Sequence, residues 1–503
     1  MVLEASGLLG IGIVSGLFMA FFIGANDIGN AMGATLGCKA LSLKKIIILA
    51  IVFELVGSIL LGGFVAQTVS SGLIKFPAGE VSELRVREYM LIMVSVLVGS
   101  GVWLCVATLF SVPVSTTHSI VGSIIGLGIY LETNSGWNSV EWFTIGKICT
   151  AWVLSPLLGG LASLVCWYPL KKFTFLSESP SSNIFRALPA LTGISGGVLI
   201  LFILYKGLTP LKLEPPIYIV LPVSIVIAVL IGLVMWKFGV PFIRGKVNDE
   251  SDTGHLQVIA EELSSPDKVE PQEWTDQDEG VKAEVATETL DQEMVDAENL
   301  NRTEAATITV ETNVEPSQVE RSTSPTVDEL VNLTEKHAFN FLVIITSCCI
   351  ATAHGANDIS NASGPLGAVV WMYFNRVLPT SETKTELWVT AVAAVGLVLG
   401  LSTLGYRVMK TLGNKITKLT PARAFVAQLG TAFITLTGSI LNLPLSTTHI
   451  IVGAVYGISI IDCKSVRDLQ WKTLGGIVLS WVITIPASSI VSLIVFVLLR
   501  FAL

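Results

Sequence analysis

Charged residues are scarce in this chain of 503 residues, of which they make up only 14%. Ordinary soluble domains carry about 25%. Hydrophobic residues account for 51%, and the mean hydropathy is +0.70. A soluble protein of this length could not bury so much apolar surface, which argues against a soluble enzyme. Basic runs interleaved with aromatic residues are also missing, so nucleic-acid binding has no support. The composition predicts an integral protein of the lipid bilayer.

Other motifs are missing as well. None of the seven cysteines forms a CxxC pair and most lie in apolar runs, so neither a zinc site nor a disulfide framework is expected. The apolar N-terminus lacks a basic stretch and a cleavage site, which favours a retained membrane helix over a signal peptide. No P-loop is present, which argues against an ATP-driven pump.

Negative charge is concentrated in one segment. Residues 247–336 hold 24 acidic and 5 basic residues, a net charge of -19, so the rest of the chain carries +11 within the total of -8. The segment is rich in Ser, Thr and Pro and poor in aromatic residues. Such a composition cannot bury enough surface to fold alone, and we expect a disordered loop.

Two motifs occur twice. GANDIGNAMG at 24–33 returns as GANDISNASG at 355–364, and PVSTTHSIVGSIIG at 113–126 returns as PLSTTHIIVGAVYG at 444–457. Both pairs are offset by 331 residues, which indicates a duplicated chain. Apolar runs of about 20 residues can each cross a bilayer. Counting the interrupted runs as two legs predicts an all-α polytopic membrane protein with about twelve transmembrane or re-entrant helices.

Loop charges predict that the two halves have opposite orientations. The loop 38–45 is purely basic and 72–88 is balanced, whereas their counterparts reverse this order, with 370–386 balanced and 406–423 purely basic. Basic loops face the cytoplasm, so the halves form an inverted-topology repeat, as in many secondary transporters. Both termini are then outside and the acidic loop is cytoplasmic. The predicted parts are 1–170, the first repeat; 171–246, the linking helices; 247–336, the acidic loop; and 337–503, the second repeat.

The first motif places the carboxylates of Asp27 and Asp358 at membrane depth, where an ionisable group is costly and points to function. Asparagines flank both aspartates, and their glycines permit close backbone approach and a break in the helix. Carboxylate and amide oxygens suit a hard cation such as Na⁺. The candidate sodium ligands are Asn26, Asp27, Asn357 and Asp358. A buried polar network between helices is the structural alternative.

The second motif combines a proline break, three hydroxyls and a histidine. A helix that begins after the proline directs backbone N–H groups and its positive dipole end at an anion. With the asparagines of the first motif, the hydroxyls give the candidate phosphate ligands Asn30, Ser115, Thr116, Thr117, Asn361, Ser446, Thr447 and Thr448. Helix capping by the hydroxyls is the alternative.

Histidines add a further element to both motifs. We assign His118 and His449 supporting roles beside the triplets. His354 and Asp358 are spaced i,i+4, a spacing that could hold a metal on one helix face, but Ile23 replaces the histidine in the first copy. A transition-metal site is therefore not expected, and Na⁺ is the only metal ion predicted.

These paired motifs resemble the inorganic phosphate transporter family, the sodium–phosphate symporters, over both membrane halves. The resemblance implies Na⁺-coupled uptake of phosphate by alternating access, no enzymatic activity, no cofactor and a homodimer, and it fits a plasma-membrane protein. Animal members carry an acidic residue in the helix matching 46–70, where Glu54 fits. A second family glutamate, in a helix resembling 424–441, corresponds to Gln428 here, which leaves the coupling ion open.

Two classes of alternative stay open. The same fold could use H⁺ or carry another tetrahedral oxyanion, such as sulfate or arsenate. An intramembrane hydrolase with His354 and Asp358 as metal ligands would need unequal halves, which the near-identical motifs disfavour. A channel is disfavoured because the acidic residues form no evident ring.

Overall fold

The computed structural model describes residues 5–63, 66, 73–74, 83–135, 140–209, 213–251, 326–380, 383–415, 419–463, 465, 467 and 469–502. Within these residues the regular structure is helical, apart from one antiparallel bridge between Ile74 and Val140. The predicted all-α class is confirmed. The chain divides into one unit of Met1–Val247 with Val331–Leu503 and another of Asn248–Leu330. Most of the acidic loop, 252–325, lies outside the described residues.

The first half and the linking segment contribute seven labelled helices. They are α1 (Ala5–Gly37), α2 (Leu43–Leu61), α3 (Glu83–Leu109), α4 (Thr116–Ser135), α5 (Trp142–Leu170), α6 (Pro180–Phe202) and α7 (Ile217–Val234). Short π-helical turns extend α5, α6 and α7, and α7 continues through its turn to Ser251.

Seven more labelled helices follow the acidic loop in the described residues. They are α8 (Val327–Asp358), α9 (Ser360–Asn375), α10 (Leu387–Thr403), α11 (Gly405–Lys415), α12 (Pro421–Ile440), α13 (Thr447–Asp462) and α14 (Trp471–Ala502). Helix α8 begins ten residues before the predicted start of the second repeat, so the predicted boundary at 336 falls inside a helix.

Seven helical stretches in the described chain are long and apolar enough to cross a bilayer. Helices α10 and α13 are shorter. At 1.5 Å per residue, the 16 residues of α13 extend about 24 Å, less than the roughly 30 Å hydrocarbon core. The prediction of about twelve transmembrane or re-entrant helices is therefore met only if short, re-entrant helices are counted as well.

The helix break predicted at the first motif occurs in one copy only. Helix α1 runs without interruption through its motif, so that prediction was wrong there. The second copy breaks at Ile359, between α8 and α9. Pro365 stands where the first copy has Ala34, but it lies inside α9, six residues past Ile359. Proline lacks an N–H donor and its ring clashes with the carbonyl of residue i−4, here Asn361.

The second motif forms the tip of a helical hairpin in each half. Helices α3 and α4 pack together and so do α12 and α13, each pair joined by a short non-helical segment. In both copies helix resumes directly after the serine, at Thr116 and at Thr447. The two tips meet inside the protein, where Ser446 Oγ lies 3.0 Å from Ser115 Oγ.

The glycine of each GAND motif lets two helices cross at very short range. A Cβ on Gly24 would collide with the carbonyl oxygen of Leu397 in α10, and one on Gly355 would collide with that of Glu54 in α2. Helices α1 and α10, and α2 and α8, therefore cross backbone to backbone, which brings Glu54 beside the second motif copy.

Candidate functional site

The two aspartates of the repeated motif converge in the protein interior. Asp27 is 1% exposed and Asp358 is fully buried. One ligand atom from each, together with one from His354, lies within 4.8 Å of the others. The fold therefore brings together two carboxylates that are 331 positions apart, each at a helix segment rich in small residues.

Hydrogen bonds link the two motifs across the halves. Asn30 Nδ2 donates to Thr448 Oγ1 at 2.8 Å, and Asn361 Nδ2 donates to Thr116 Oγ1 at 3.3 Å. In each case an asparagine of one half contacts a threonine of the other half. The two hairpin tips are thus joined to the two aspartate motifs in one buried polar cluster.

The aspartates have unequal surroundings. Asp358 accepts from Thr447 Oγ1 at 3.0 Å and from Asn357 Nδ2 at 2.6 Å. Asp27 accepts from Asn30 Nδ2 at 3.3 Å through Oδ1, whereas its Oδ2 has no hydrogen-bond partner among the described residues. The first aspartate therefore keeps one oxygen available to a ligand.

Buried oxygens without a donor define a candidate cation site. Buried polar atoms in proteins are nearly always hydrogen-bonded, so a group of orphans needs an explanation. Oxygen acceptors that lack N–H or O–H partners are the ligands that hard cations prefer. Among the predicted ligands, the orphaned atoms are Asp27 Oδ2, Asn30 Oδ1, Asn357 Oδ1 and Asn361 Oδ1.

Asn26 differs from the other asparagines because its side chain is fully engaged within its own half. Its Nδ2 donates to Thr108 Oγ1 at 3.2 Å and to the Val112 carbonyl at 3.1 Å, and its Oδ1 accepts from Val114 N at 3.1 Å. The side chain therefore holds the segment that precedes the second motif. Its Oδ1 thus already accepts one hydrogen bond, and the role of Asn26 as a sodium ligand stays a prediction.

Ser115 and Ser446 are helix N-caps. Their hydroxyls accept from the backbone N–H of His118 and His449, at 3.3 and 3.4 Å. The capping alternative thus applies to the serines. The neighbouring Thr117 donates to the carbonyl of Leu445 in the other half, at 3.2 Å, which leaves Thr116 and Thr448 as the hydroxyls that meet the asparagines.

His354 joins the aspartate motif to Glu54. Its Nδ1 lies 2.9 Å from Glu54 Oε1 and its Nε2 lies 2.8 Å from Asp358 Oδ2, and all three side chains are buried. A neutral imidazole carries one N–H, so two carboxylate contacts fit the doubly protonated ring. When doubly protonated, His354 supplies a positive charge between two carboxylates. The i,i+4 spacing of His354 and Asp358 was visible in the sequence, but the contact of His354 with Glu54 was not.

Gln428 lies in a separate neutral cluster. Its Nε2 donates to Thr35 Oγ1 at 2.7 Å, and its Oε1 accepts from Thr346 Oγ1 at 2.9 Å. Ser347 Oγ bonds to Thr35 Oγ1 at 2.6 Å. The cluster also reaches the residue next to Asn30 in α1, through a long bond of 3.4 Å from Gln428 Nε2 to the Ala31 carbonyl.

The two motif histidines belong to a stack of four rings. His118 and His449 have ring centroids 4.6 Å apart, and each also stacks on a tryptophan, Trp152 at 3.8 Å and Trp481 at 3.6 Å. His449 Nδ1 lies 3.0 Å from the Trp152 carbonyl. The stack joins α4 to α13 at the residues that directly follow the motif threonines. Sequence analysis predicted supporting histidines but missed both tryptophans.

Comparison with known proteins agrees with these features. The model of the phosphate transporter family matches residues 23–492. A Haemophilus influenzae protein predicted to be a phosphate permease is 31% identical over 98% of this chain and 97% of its own length. The chloroplastic inorganic phosphate transporter 2-1 of Arabidopsis thaliana is 29% identical over 96% of this chain and 70% of its own.

A solved structure is similar as well. It is titled "The sodium-dependent phosphate transporter" and superposes with a TM-score of 0.73 at 28% identity, over 99% of this chain and all of that one.

Proposed function

The chain belongs to the phosphate transporter family, a family of transporters and not of enzymes, and we propose that it takes up inorganic phosphate together with Na⁺ by alternating access. The observation that carries the proposal is the convergence of two aspartates with hydroxyls and orphaned amide oxygens from both halves. Donors suit an oxyanion and acceptors suit a cation, and both are present in one buried cluster.

Charge balance explains why cations accompany the anion. A phosphate dianion beside Asp27 and Asp358 would be strongly destabilised away from water. His354 already offsets part of the charge of Glu54 and Asp358. Sodium ions bound by Asp27, Asp358 and the amide oxygens of Asn30, Asn357 and Asn361 supply the remaining positive charge, so phosphate and sodium bind interdependently.

The hydroxyl groups provide the anion contacts. Thr116 and Thr448 lie at the first turns of α4 and α13, where backbone N–H groups and the helix dipole favour negative charge. Ser115, Ser446, Thr117 and Thr447 position these turns through their own bonds, and the amide groups of Asn30 and Asn361 lie between anion and cation. Asn26 holds the segment that precedes the second motif in place through its own hydrogen bonds.

Contacts at the helix ends support the inverted topology. Arg376 lies 4.0 Å from Glu83, and both belong to segments predicted outside. Lys171 and Arg423 both pair with Asp462, each at 2.7 Å, and both belong to segments predicted inside. We therefore place both termini outside and the acidic loop in the cytoplasm, with the plasma membrane as the location.

The test is uptake of radiolabelled phosphate into proteoliposomes. An inward Na⁺ gradient should drive accumulation, and replacing Na⁺ with choline should abolish it at both of two pH values. Asp27→Asn and Asp358→Asn should each severely cut uptake while leaving the folded yield unchanged, since each removes an anionic ligand. Thr437→Val, which alters an exposed hydroxyl on α12, is the control.

Gln428 makes H⁺ coupling the second candidate, because an amide stands where animal members carry a carboxylate. Uptake that persists in choline and follows a proton gradient would replace Na⁺ with H⁺ in the proposal. Competition by sulfate or arsenate at equal concentration would identify a broader oxyanion transporter.

A further inference from the structure

A long apolar groove runs along the outer face of α6 and α7, away from the motif cluster. Its volume is about 620 Å³. Its walls include Ile194 and Val229, which are 54% and 55% exposed. Its floor is formed where the two helices pack closely, with Gly193 against the Ala228 carbonyl and Gly232 against that of Pro189.

Positive charge is confined to one end of this groove. Arg186 is the single charged residue among the described residues that line it, and Trp236 stands on the opposite helix at the same end. Both side chains are exposed. The Arg186 guanidinium donates to Asn183 Oδ1 at 3.2 Å, and with five N–H donors it can bind an anion as well.

More basic residues lie next to this end. The segment 235–248, which continues α7, contains three exposed basic residues and no acidic residue, and the Arg244 guanidinium stacks 5.0 Å from the ring of Phe185, the neighbour of Arg186. Basic pockets between membrane helices bind anionic headgroups, and tryptophan prefers the headgroup level.

We propose that this groove binds one anionic phospholipid, with its acyl chain between α6 and α7 and its phosphate at Arg186. The site is independent of the proposed transport function. A lipid without net charge would fill the apolar part of the groove equally well. It would leave the basic residues at the end of the groove without a compensating negative charge.

A second copy of the chain fits the groove less well than a lipid does. Covering the groove with protein would remove Arg186 from water, and none of the described lining residues offers an acidic partner. Burying a cation without a partner costs several kcal/mol. A lipid phosphate supplies that partner and stays at the water interface.

The experiment is native mass spectrometry of the purified full-length chain titrated with phosphatidylglycerol or phosphatidylcholine of identical acyl chains. Phosphatidylglycerol should bind more tightly. Arg186→Gln should weaken it about fivefold, the effect of one basic residue near an anionic headgroup. Arg186→Lys should retain it, and Lys147→Gln, an exposed cation on α5, should have no effect.

A second pair of variants tests the apolar part. Ala190→Phe should fill the groove and lower the affinity, whereas Val223→Phe, on an exposed face of α7 outside the groove, should not. Equal affinity for the two lipids, or unchanged binding in both Arg186→Gln and Ala190→Phe, would overturn the proposal. So would efficient disulfide cross-linking of two Ile194→Cys copies with no lipid bound, because a second copy would then cover the groove.

Discussion

Asn26 and Asn30 lie one turn apart on α1, yet their amides contact different partners. Asn26 holds the segment before α4 with three bonds, whereas Asn30 bonds across the halves and keeps an orphaned oxygen. Asn26→Ala should lower stability by about 1–3 kcal/mol, because the Val114 N–H loses its acceptor. Asn30→Ala should instead raise the Na⁺ concentration needed for half-maximal uptake. Thermal unfolding in detergent and sodium titration of uptake separate the two effects, and equal Na⁺ dependence in both variants would contradict the assignment.

The serines and threonines of the second motif should also differ in function. Thr116→Val and Thr448→Val each remove a hydroxyl beside the proposed anion, and a hydrogen bond to a charged group is worth about 1.5–3 kcal/mol. Phosphate affinity should therefore fall by about tenfold to a hundredfold. Ser115→Ala and Ser446→Ala should mainly cost stability, about 0.5–2 kcal/mol for a lost N-cap. Phosphate binding by calorimetry, beside unfolding curves, measures both quantities. Unchanged affinity in both threonine variants would place the anion elsewhere.

At the scale of helices, the motif glycine limits how closely α1 and α10 can pack. Gly24→Ala places a Cβ on the Leu397 carbonyl oxygen, and overpacking of this kind costs about 1–3 kcal/mol. Gly10→Ala on the same helix meets nothing within 4 Å and should be neutral or stabilising. The midpoint of thermal unfolding should fall for the first variant alone. Equal midpoints would show that the crossing can relax without loss.

Much of the helical order could be predicted from apolar run length. The apolar run at 387–405 of the sequence coincides with α10 (Leu387–Thr403), and the one at 473–499 coincides with α14 (Trp471–Ala502). The early start of α8 at Val327 could not be predicted, because the first turns of this helix are polar and continue the composition of the acidic loop. The unbroken α1 could not be predicted either, since its motif glycines permit a break in the helix but do not require one.

At the scale of the whole molecule, the duplicated motifs predicted which residues matter but not how they pair. Asn30 bonds to Thr448 and His354 to Glu54, contacts separated by 418 and 300 positions. Such pairings follow from the packing of one half on the other, and no local pattern encodes them. The constant offset of 331 residues shows which positions of the two halves are equivalent. Only the folded structure shows which residues contact each other.

The inverted topology is the prediction on which the two-sided site depends. Each of the seven cysteines is free, so all can be replaced before single cysteines are introduced at exposed positions. Glu83→Cys and Lys384→Cys should react with a membrane-impermeant maleimide added outside intact cells. Glu83 contacts Arg376, which lies in the same loop, 370–386, as Lys384, so the two positions are expected on one side of the membrane. Lys44→Cys and Lys410→Cys should react only after permeabilisation, because their loops carry basic residues without acidic ones. Labelling of the first pair shows that the reagent is active, and the lack of labelling of the second pair before permeabilisation shows that the cells are intact. Reaction of Glu83→Cys and Lys410→Cys from the same side would rule out opposite orientation of the halves, since these loops are equivalent in the repeat.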